Sequence, residues 1–250
     1  MGYIIALAGK GGTGKTTIAA LIIRSIKEKK LGSVLAIDAD PNSNLGEVLG
    51  IKEGDSVGGI LDYISANPDK VPSGMTKERF IQYQLQSAVR EGNGFDILSM
   101  GKPEGPGCYC YVNNVLRGII AKLTKDYDYI VIDNEAGLEH LSRRTTRYAD
   151  TLVVVSDASN IGLKSAQRIN ALVKQLKFEV RKGALLVNRF NKNIEDGKIK
   201  ETGLDYLGSL PFDPGIEELS EMGNSIFSLK SDAPALSALN SLGEKIWKHN

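Results

Sequence analysis

The chain of 250 residues has little cysteine, no marked excess of charge and no long apolar run. Its 31 basic and 30 acidic side chains leave a net charge of +1, so no overall positive field attracts nucleic acid. The longest apolar runs, 3–8 and 18–23, hold six residues each, whereas a membrane-spanning helix needs about twenty. The first run begins too early to leave room for a signal peptide. We therefore expect a cytoplasmic protein with no nucleic-acid or membrane partner, whose two cysteines stay reduced.

Short apolar runs alternate with helical patterns along the whole chain. This alternation predicts an α/β fold with a mostly parallel central sheet of about seven or eight strands and helices on both faces. The segment 56–93 is more polar and is predicted to form helices and loops that pack against the sheet. A last helix is predicted at 233–248, with Asp232 as its N-cap. We expect a single domain over 1–250. The predicted strands are 3–8, 34–38, 95–100, 129–133, 151–156, 183–187 and 206–210.

A glycine-rich segment between the first apolar run and the first helical pattern is the clearest motif. Residues 9–16 match G-x-x-x-x-G-K-S/T, a loop whose backbone N–H groups surround nucleotide phosphates. In such a loop Lys15 reaches the β- and γ-phosphates, and the Thr16 hydroxyl reaches a magnesium ion. The motif predicts a P-loop NTPase that binds ATP or ADP with Mg²⁺. The predicted nucleotide-binding residues of this loop are Gly11, Gly12, Thr13, Gly14, Lys15, Thr16 and Thr17.

Three aspartates follow predicted strands at the edge where ligands gather in such folds. Asp38 and Asp40 end the second predicted strand, and Asp133 ends the strand 129–133. Asp133 is predicted to hold magnesium. Of the other two, one carboxylate would support the magnesium shell and the other would position or deprotonate the attacking water. A simpler alternative is that Asp38 and Asp40 only cap a turn.

Lys10 is a second lysine, at the start of the loop. A cationic side chain at this position is best placed to bind a phosphate of the nucleotide in a twin subunit. The segment from Lys10 to Thr16 resembles the K-G-G-x-G-K-S/T loop of the deviant Walker A ATPases, the septum-positioning (MinD), plasmid-partition (ParA) and nitrogenase iron-protein group. The resemblance implies a homodimer in which Lys10 acts across the interface. It also implies that Lys10, Lys15 and Asp40 are catalytic, with Asp40 activating water and Asp38 on the magnesium side.

The same resemblance implies where the adenine would lie. Two later strand ends correspond to the family's base pocket, although their sequences by themselves indicate only turns after strands. The asparagine at the first of these ends would read the edge of the base. The residues implied for this pocket are Asn188, Arg189, Pro211 and Asp213.

The two cysteines lie two residues apart, behind a segment rich in glycine and proline. In an extended chain Cys108 and Cys110 point to the same side and can share one metal ion. Two thiolates are too few for a closed site, but two copies in a dimer supply four, which suits tetrahedral zinc or square-planar nickel(II). Alternatively, the cysteines are small buried core residues.

The segment 103–110, the following Asn113, Asn114 and Arg117, and the segment 133–137 resemble the nickel-inserting ATPases of the CooC type. That family matures carbon monoxide dehydrogenase, with close relatives that serve acetyl-CoA synthase. The resemblance implies that Cys108 and Cys110 bind Ni²⁺, with Zn²⁺ possible in the same site, between two subunits. It implies an acceptor nickel enzyme such as carbon monoxide dehydrogenase as partner.

Two other functions remain open at this point. An iron–sulfur-cluster-handling ATPase would need cysteines elsewhere, and none follows position 110. A positioning or partition switch of the MinD or ParA kind would bind a membrane or DNA, for which Arg143, Arg144 and Arg147 offer a basic patch. A solvated helix explains these arginines equally well.

Overall fold

The computed structural model describes residues 2–40, 42, 44–52, 54–101, 118, 121–123, 125–135, 148–192 and 194–247. Within these ranges one eight-stranded sheet runs through the molecule. Its strands are β1 (Tyr3–Gly9), β2 (Val34–Asp38), β3 (Arg90–Glu91), β4 (Asp96–Ser99), β5 (Tyr129–Asp133), β6 (Tyr148–Ser156), β7 (Glu179–Val187) and β8 (Asp205–Ser209). They lie side by side in the order β3-β4-β2-β5-β1-β6-β7-β8. Every neighbouring pair is parallel except β3 and β4.

The predicted fold class is confirmed. The structure differs from the prediction at the starts of two strands and at one edge of the sheet. The prediction missed β3, which consists of only Arg90 and Glu91 and pairs antiparallel with β4. It also began β6 and β7 too late, because their first residues are partly polar and carry no apolar run. These residues are strand because Tyr148 and Ala149 pair in register with Glu179 and Val180.

Helices cover both faces of the sheet, as predicted. They are α1 (Lys15–Glu28), α2 (Asn44–Val48), α3 (Val57–Ala66), α4 (Lys77–Ser87), α5 (Asn160–Gln175), α6 (Asp196–Thr202), α7 (Pro214–Met222), α8 (Pro234–Leu242) and α9 (Glu244–Trp247). Side chains alternate along β1, so that Ile4 faces one core, with α3, α4 and α5, while Ile5 faces the other, with α1, α8 and α9. The segment 56–93 therefore packs against the sheet mainly through helices. None of the described helices combines the length and apolarity needed to cross a bilayer.

The C-terminal helix differs from its prediction in two ways. It is divided at Gly243 into α8 and α9, and residue 248 lies outside the described residues. The predicted N-cap, Asp232, is wrong, because Ala233 occupies the cap position and makes no side-chain cap bond. The carboxylate that accepts an N–H at this helix start belongs to Asp213, whose Oδ2 lies 2.9 Å from the backbone nitrogen of Ala235.

Candidate functional site

The pairing of β1, β5 and β2 brings the motifs together at the carboxyl edge of the sheet. Leu7 of β1 and Asp38 of β2 are both register partners of Asp133 on β5. The glycine-rich loop leaves β1 two residues after Leu7 and leads into α1 at Lys15. The loop and two of the three predicted acidic side chains therefore lie on adjacent strands, as their positions after apolar runs predicted.

The loop turns through two glycines in the left-handed region, Gly12 with φ 79° and Gly14 with φ 88°. Gly14 occupies the N-cap position of α1 and makes no side-chain cap bond, since it has no side chain. The first backbone N–H groups of a helix have no intrahelical acceptor. The N-terminus of α1 therefore presents free donors and the positive end of a helix dipole to an anion.

The backbone carbonyl of Lys10 organises the loop from within. It accepts a 2.8 Å hydrogen bond from the Thr13 hydroxyl and a 3.4 Å bond from the Lys15 ammonium group. Lys15 is 8% exposed, whereas Lys10 is exposed. One lysine is thus held inside the loop, where phosphates would lie, and the other is free to reach beyond the protein's own surface.

Asp133 is 1% exposed and hydrogen-bonds with the Thr16 side chain. Its pKa is raised to about 7, chiefly by burial and also by the charge of Asp38, against the opposing effects of Thr16 and Lys15. Its Oδ1 is buried and accepts no hydrogen bond from any described residue. A buried carboxylate oxygen without a donor, beside a hydroxyl, is an oxygen set that suits Mg²⁺. The residues present therefore fit this ion.

Asp38 is fully buried, and burial raises its pKa to about 6. Its Oδ1 accepts the backbone N–H of Asp40 at 3.2 Å, and its Oδ2 accepts that of Leu45 at 2.8 Å. Asp38 thus shapes the turn that carries Asp40, as the turn-capping alternative supposed. Asp40 is partly exposed, and its Oδ1 accepts the backbone N–H of Asn42 at 2.9 Å. Asp40 is therefore the acid of this turn that solvent reaches.

A groove of about 360 Å³ lies beside α1 and contains the implied adenine-pocket residues. Residues after the ends of β7 and β8 contribute Asn188, Arg189, Pro211 and Asp213 to its wall, and Thr17 of α1 also lines it. Asp213 is largely occupied in holding the fold, because Oδ1 accepts the N–H of Gly215 at 3.0 Å and Oδ2 that of Ala235. The groove has the size of a small-molecule site, since such sites begin at about 300 Å³.

Two residues of this region were assigned no role of their own from the sequence. Asn134 is 1% exposed and donates from Nδ2 to the carbonyl of Leu7 at 2.7 Å, which ties the end of β5 to β1. Its place directly after Asp133 was a usable signal. Arg90 donates to Ser99 Oγ at 2.7 Å and to the carbonyl of Lys52, and its charge lowers the pKa of Asp38. No pattern in the sequence indicated Arg90.

Cys108 and Cys110, which were predicted to bind a metal, lie outside the described residues. Residues 136 and 137, which end the CooC-like segment 133–137, and Arg143, Arg144 and Arg147 lie outside them too. Among the residues that are described, no group of three or more His, Cys, Asp and Glu side chains is arranged to hold a metal ion.

Comparison with known proteins gives one family and several relatives. The family model of the CobQ/CobB/MinD/ParA nucleotide binding domain matches residues 4–226. An uncharacterized ATP-binding protein of Methanocaldococcus jannaschii is 41% identical over 248 residues, covering 97% of this chain and 98% of that protein. The carbon monoxide dehydrogenase accessory protein CooC of Rhodospirillum rubrum is 30% identical over 245 residues, covering 90% and 89%.

Solved structures resemble the fold closely. The septum site-determining protein MinD of Pyrococcus horikoshii, solved in complex with Mg-ADP, superposes with a TM-score of 0.69. The match covers 99% of this chain and 97% of that protein at 21% sequence identity. At this identity the likeness concerns the fold.

Proposed function

The chain belongs to the CobQ/CobB/MinD/ParA family of nucleotide-binding domains, and from this premise we propose that it is a single-domain, magnesium-dependent ATPase. The observation that carries the proposal is the meeting of Lys15, Thr16 and Asp133 at the ends of two paired strands, next to the turn of Asp38 and Asp40. These are the groups that transfer of a phosphoryl group to water needs: a phosphate cradle, a cation site and an acid near the water.

Each group has a separate part in the proposed reaction. The backbone N–H groups at the start of α1 and the Lys15 ammonium bind the β- and γ-phosphates. Asp40, which solvent reaches, orients the attacking water and accepts its proton. Lys10 extends from the loop to the phosphates of a partner subunit, so that a homodimer completes two sites.

Thr16 and Asp133 would hold Mg²⁺. Asp38 is the register partner of Asp133 on the neighbouring strand. A bound Mg²⁺ ion neutralises charge that develops on the transferred phosphate. Asp38 uses both carboxylate oxygens to fix the backbone of Asp40 and Leu45. We therefore propose that Asp38 supports the magnesium site mainly by fixing the backbone of this turn.

The cargo of the ATPase is proposed from its similarity to CooC, which is named as an accessory protein of carbon monoxide dehydrogenase. Cys108 and Cys110 of two subunits together supply four thiolates, enough for one nickel or zinc ion. We propose that ATP binding brings the two pairs together and that hydrolysis separates them. The metal would then pass to an acceptor nickel enzyme such as carbon monoxide dehydrogenase.

The ATPase proposal is tested by replacing Asp40 with Asn and Lys10 with Ala. We expect Asp40→Asn to slow hydrolysis by about 10²–10⁴-fold, the usual contribution of a positioned general base, while ADP binds nearly as before. Lys10→Ala should likewise impair hydrolysis more than nucleotide binding. Asp205→Asn, at an exposed strand start, is the control. Normal turnover in the Asp40 variant would contradict the assigned base.

The metal proposal is tested by nickel binding in the Cys108→Ala, Cys110→Ala double variant. Wild-type protein with ATP should bind one nickel ion per two chains, and the double variant should bind none tightly while it still binds ATP. Equal nickel stoichiometry in both proteins would overturn the cysteine site. Salt-sensitive binding to DNA, or binding to lipid vesicles, without nickel uptake would favour a partition or positioning switch.

A further inference from the structure

The side chain of Asn188 connects the wall of the groove to the phosphate loop. Its Nδ2 donates a 2.9 Å hydrogen bond to the backbone carbonyl of Thr13, 175 residues earlier in the chain. Its Oδ1 accepts the backbone N–H of Arg189 at 3.0 Å. Because a carbonyl can only accept and an N–H can only donate, these two partners fix the orientation of the amide.

The asparagine is itself held firmly by the sheet. Its backbone N–H donates to the carbonyl of Ser156, at the end of β6, at 2.8 Å. On the side of β8, the backbone N–H of Leu210 donates to the carbonyl of Val187, the residue before Asn188, at 2.8 Å. Arg189 then turns away with φ 56°, a left-handed conformation that ends the strand. A bond from Asn188 to the loop therefore ties the loop to three strands of the sheet.

The loop is shaped to receive this bond. Thr13 is 7% exposed, and its hydroxyl donates to the carbonyl of Lys10, so both its backbone and its side chain are engaged. Gly14 comes so close that a Cβ atom built on it would lie 2.5 Å from Asn188 Nδ2. Only glycine allows both the approach and the φ of 88° at this position.

We propose that Asn188 is a positioning residue that holds the phosphate loop in its anion-binding shape, whichever base the nucleotide carries. The bond from Nδ2 fixes the Thr13 carbonyl, which directs that carbonyl away from the phosphates and leaves the N–H groups of the loop to face them. This inference rests on the proposed nucleotide-binding function. It assigns Asn188 a role different from reading the base edge, which the family resemblance implied.

The experiment separates phosphate binding from base reading with a ligand that has no base. Binding of inorganic tripolyphosphate, ATP and GTP is measured by calorimetry, with magnesium present, for wild type and Asn188→Ala. We expect the variant to bind all three about tenfold more weakly, as for the loss of one well-placed hydrogen bond. The ratio of ATP to GTP affinity should remain that of the wild type, because the loop carries the loss.

Two further variants make the result decisive. Asn188→Asp keeps the size and the bond from Arg189 but places an oxygen against the Thr13 carbonyl, so it should weaken tripolyphosphate binding more than alanine does. Phe212 lines the groove and is not a residue of the loop, so Phe212→Ala should weaken ATP binding while tripolyphosphate binds as in wild type. Circular dichroism checks that each variant is folded.

Two outcomes would overturn the inference. If Asn188→Ala or Asn188→Asp binds tripolyphosphate as tightly as wild type while its ATP to GTP ratio changes, Asn188 reads the base and does not position the loop. That result leaves the proposed ATPase function intact. If wild-type protein binds neither tripolyphosphate nor ATP, the proposed function falls together with the inference.

Discussion

Replacing Asp133 by Asn should raise the free energy of unfolding of the nucleotide-free protein, although it should abolish hydrolysis. Burial raises the pKa of Asp133 from 3.8 to about 7. Between these two pKa values the folded protein keeps a proton that the unfolded chain has released, so stability falls as the pH rises. The cost is complete above about pH 7, where the buried carboxylate is ionised. An amide carries no charge and avoids this cost.

The magnitude follows from the two pKa values. Their difference is about three units, and each unit corresponds to about 1.4 kcal/mol, so the cost of the buried charge is at most about 4 kcal/mol. The attraction of Lys15 for the carboxylate lowers the pKa and is therefore already contained in this figure. We expect a net gain of about 2–4 kcal/mol at neutral to alkaline pH. For a protein of this size each kcal/mol raises the Tm by about 2–4 °C.

Urea denaturation in EDTA, without nucleotide, measures this gain. The gain should be largest at about pH 8 and should shrink as the pH approaches 5, because the wild-type carboxyl becomes protonated in the folded state. Asp38, whose pKa is raised to about 6, titrates in both proteins, so its contribution largely cancels. Equal stability of the two proteins at about pH 8, or the same gain at both pH values, would refute the argument from burial.

Asp128→Asn is the matched control, because Asp128 has the opposite shift. The N–H and hydroxyl of Ser33 both donate to Asp128 Oδ2 and lower its pKa. Its contribution to stability is present above the unfolded pKa and is lost as the pH falls. The control variant should therefore be no more stable than wild type at about pH 8, and a gain there would show that any added amide stabilises the protein.

Two other substitutions test the loop and the groove wall. Gly14→Ala should weaken ATP binding at least about tenfold in calorimetry, because the φ of 88° and the contact with Asn188 both exclude a methyl group. The control is Gly197→Ala, because a Cβ atom at Gly197 would meet no other atom within 4 Å. Equal losses of ATP affinity in the two variants would contradict the steric reason. Asp213→Ala should lower the free energy of unfolding by about 2 kcal/mol in urea, because N–H groups at the starts of α7 and α8 lose their acceptor. Ser225→Ala removes a single such bond, so a loss as large as that of Asp213→Ala would contradict the account.

The central strands could be predicted from the sequence because each is a continuous apolar run. Five residues at Val34–Asp38 and five at Tyr129–Asp133 are buried throughout, and their predicted bounds are confirmed. The edge strand Arg90–Glu91 could not be predicted, since both of its residues are charged and it exists only through pairing with β4. Local pattern identifies strands that are buried, and pairing decides the others.

The same distinction applies to the site. The loop 9–16 and the acidic residues at strand ends were predictable because their signals lie within a few residues. The partners of Asn188 and Asp213 were not, because Thr13 lies 175 residues from the first and Ala235 lies 22 from the second. An asparagine or an aspartate after a strand looks the same in sequence whether it contacts a ligand or another part of the chain.

The buried acids lower the stability of the fold when they are ionised, and the same ionised carboxylates favour binding of a cation. Asp133 and Asp38 lie on paired strands, and burial raises the pKa of both carboxyls. The charge of Asp38 also raises the pKa of Asp133, whereas the charge of Lys15 lowers it. A cation site needs the deprotonated carboxylate, so the free energy that the fold loses by ionising Asp133 is recovered only when positive charge binds there. Asn at position 133 would remove the loss and the recovery together. The stability gained by that substitution and the activity lost by it therefore have the same physical origin, the buried charge of Asp133. A substitution that affected only catalysis or only folding would not change both.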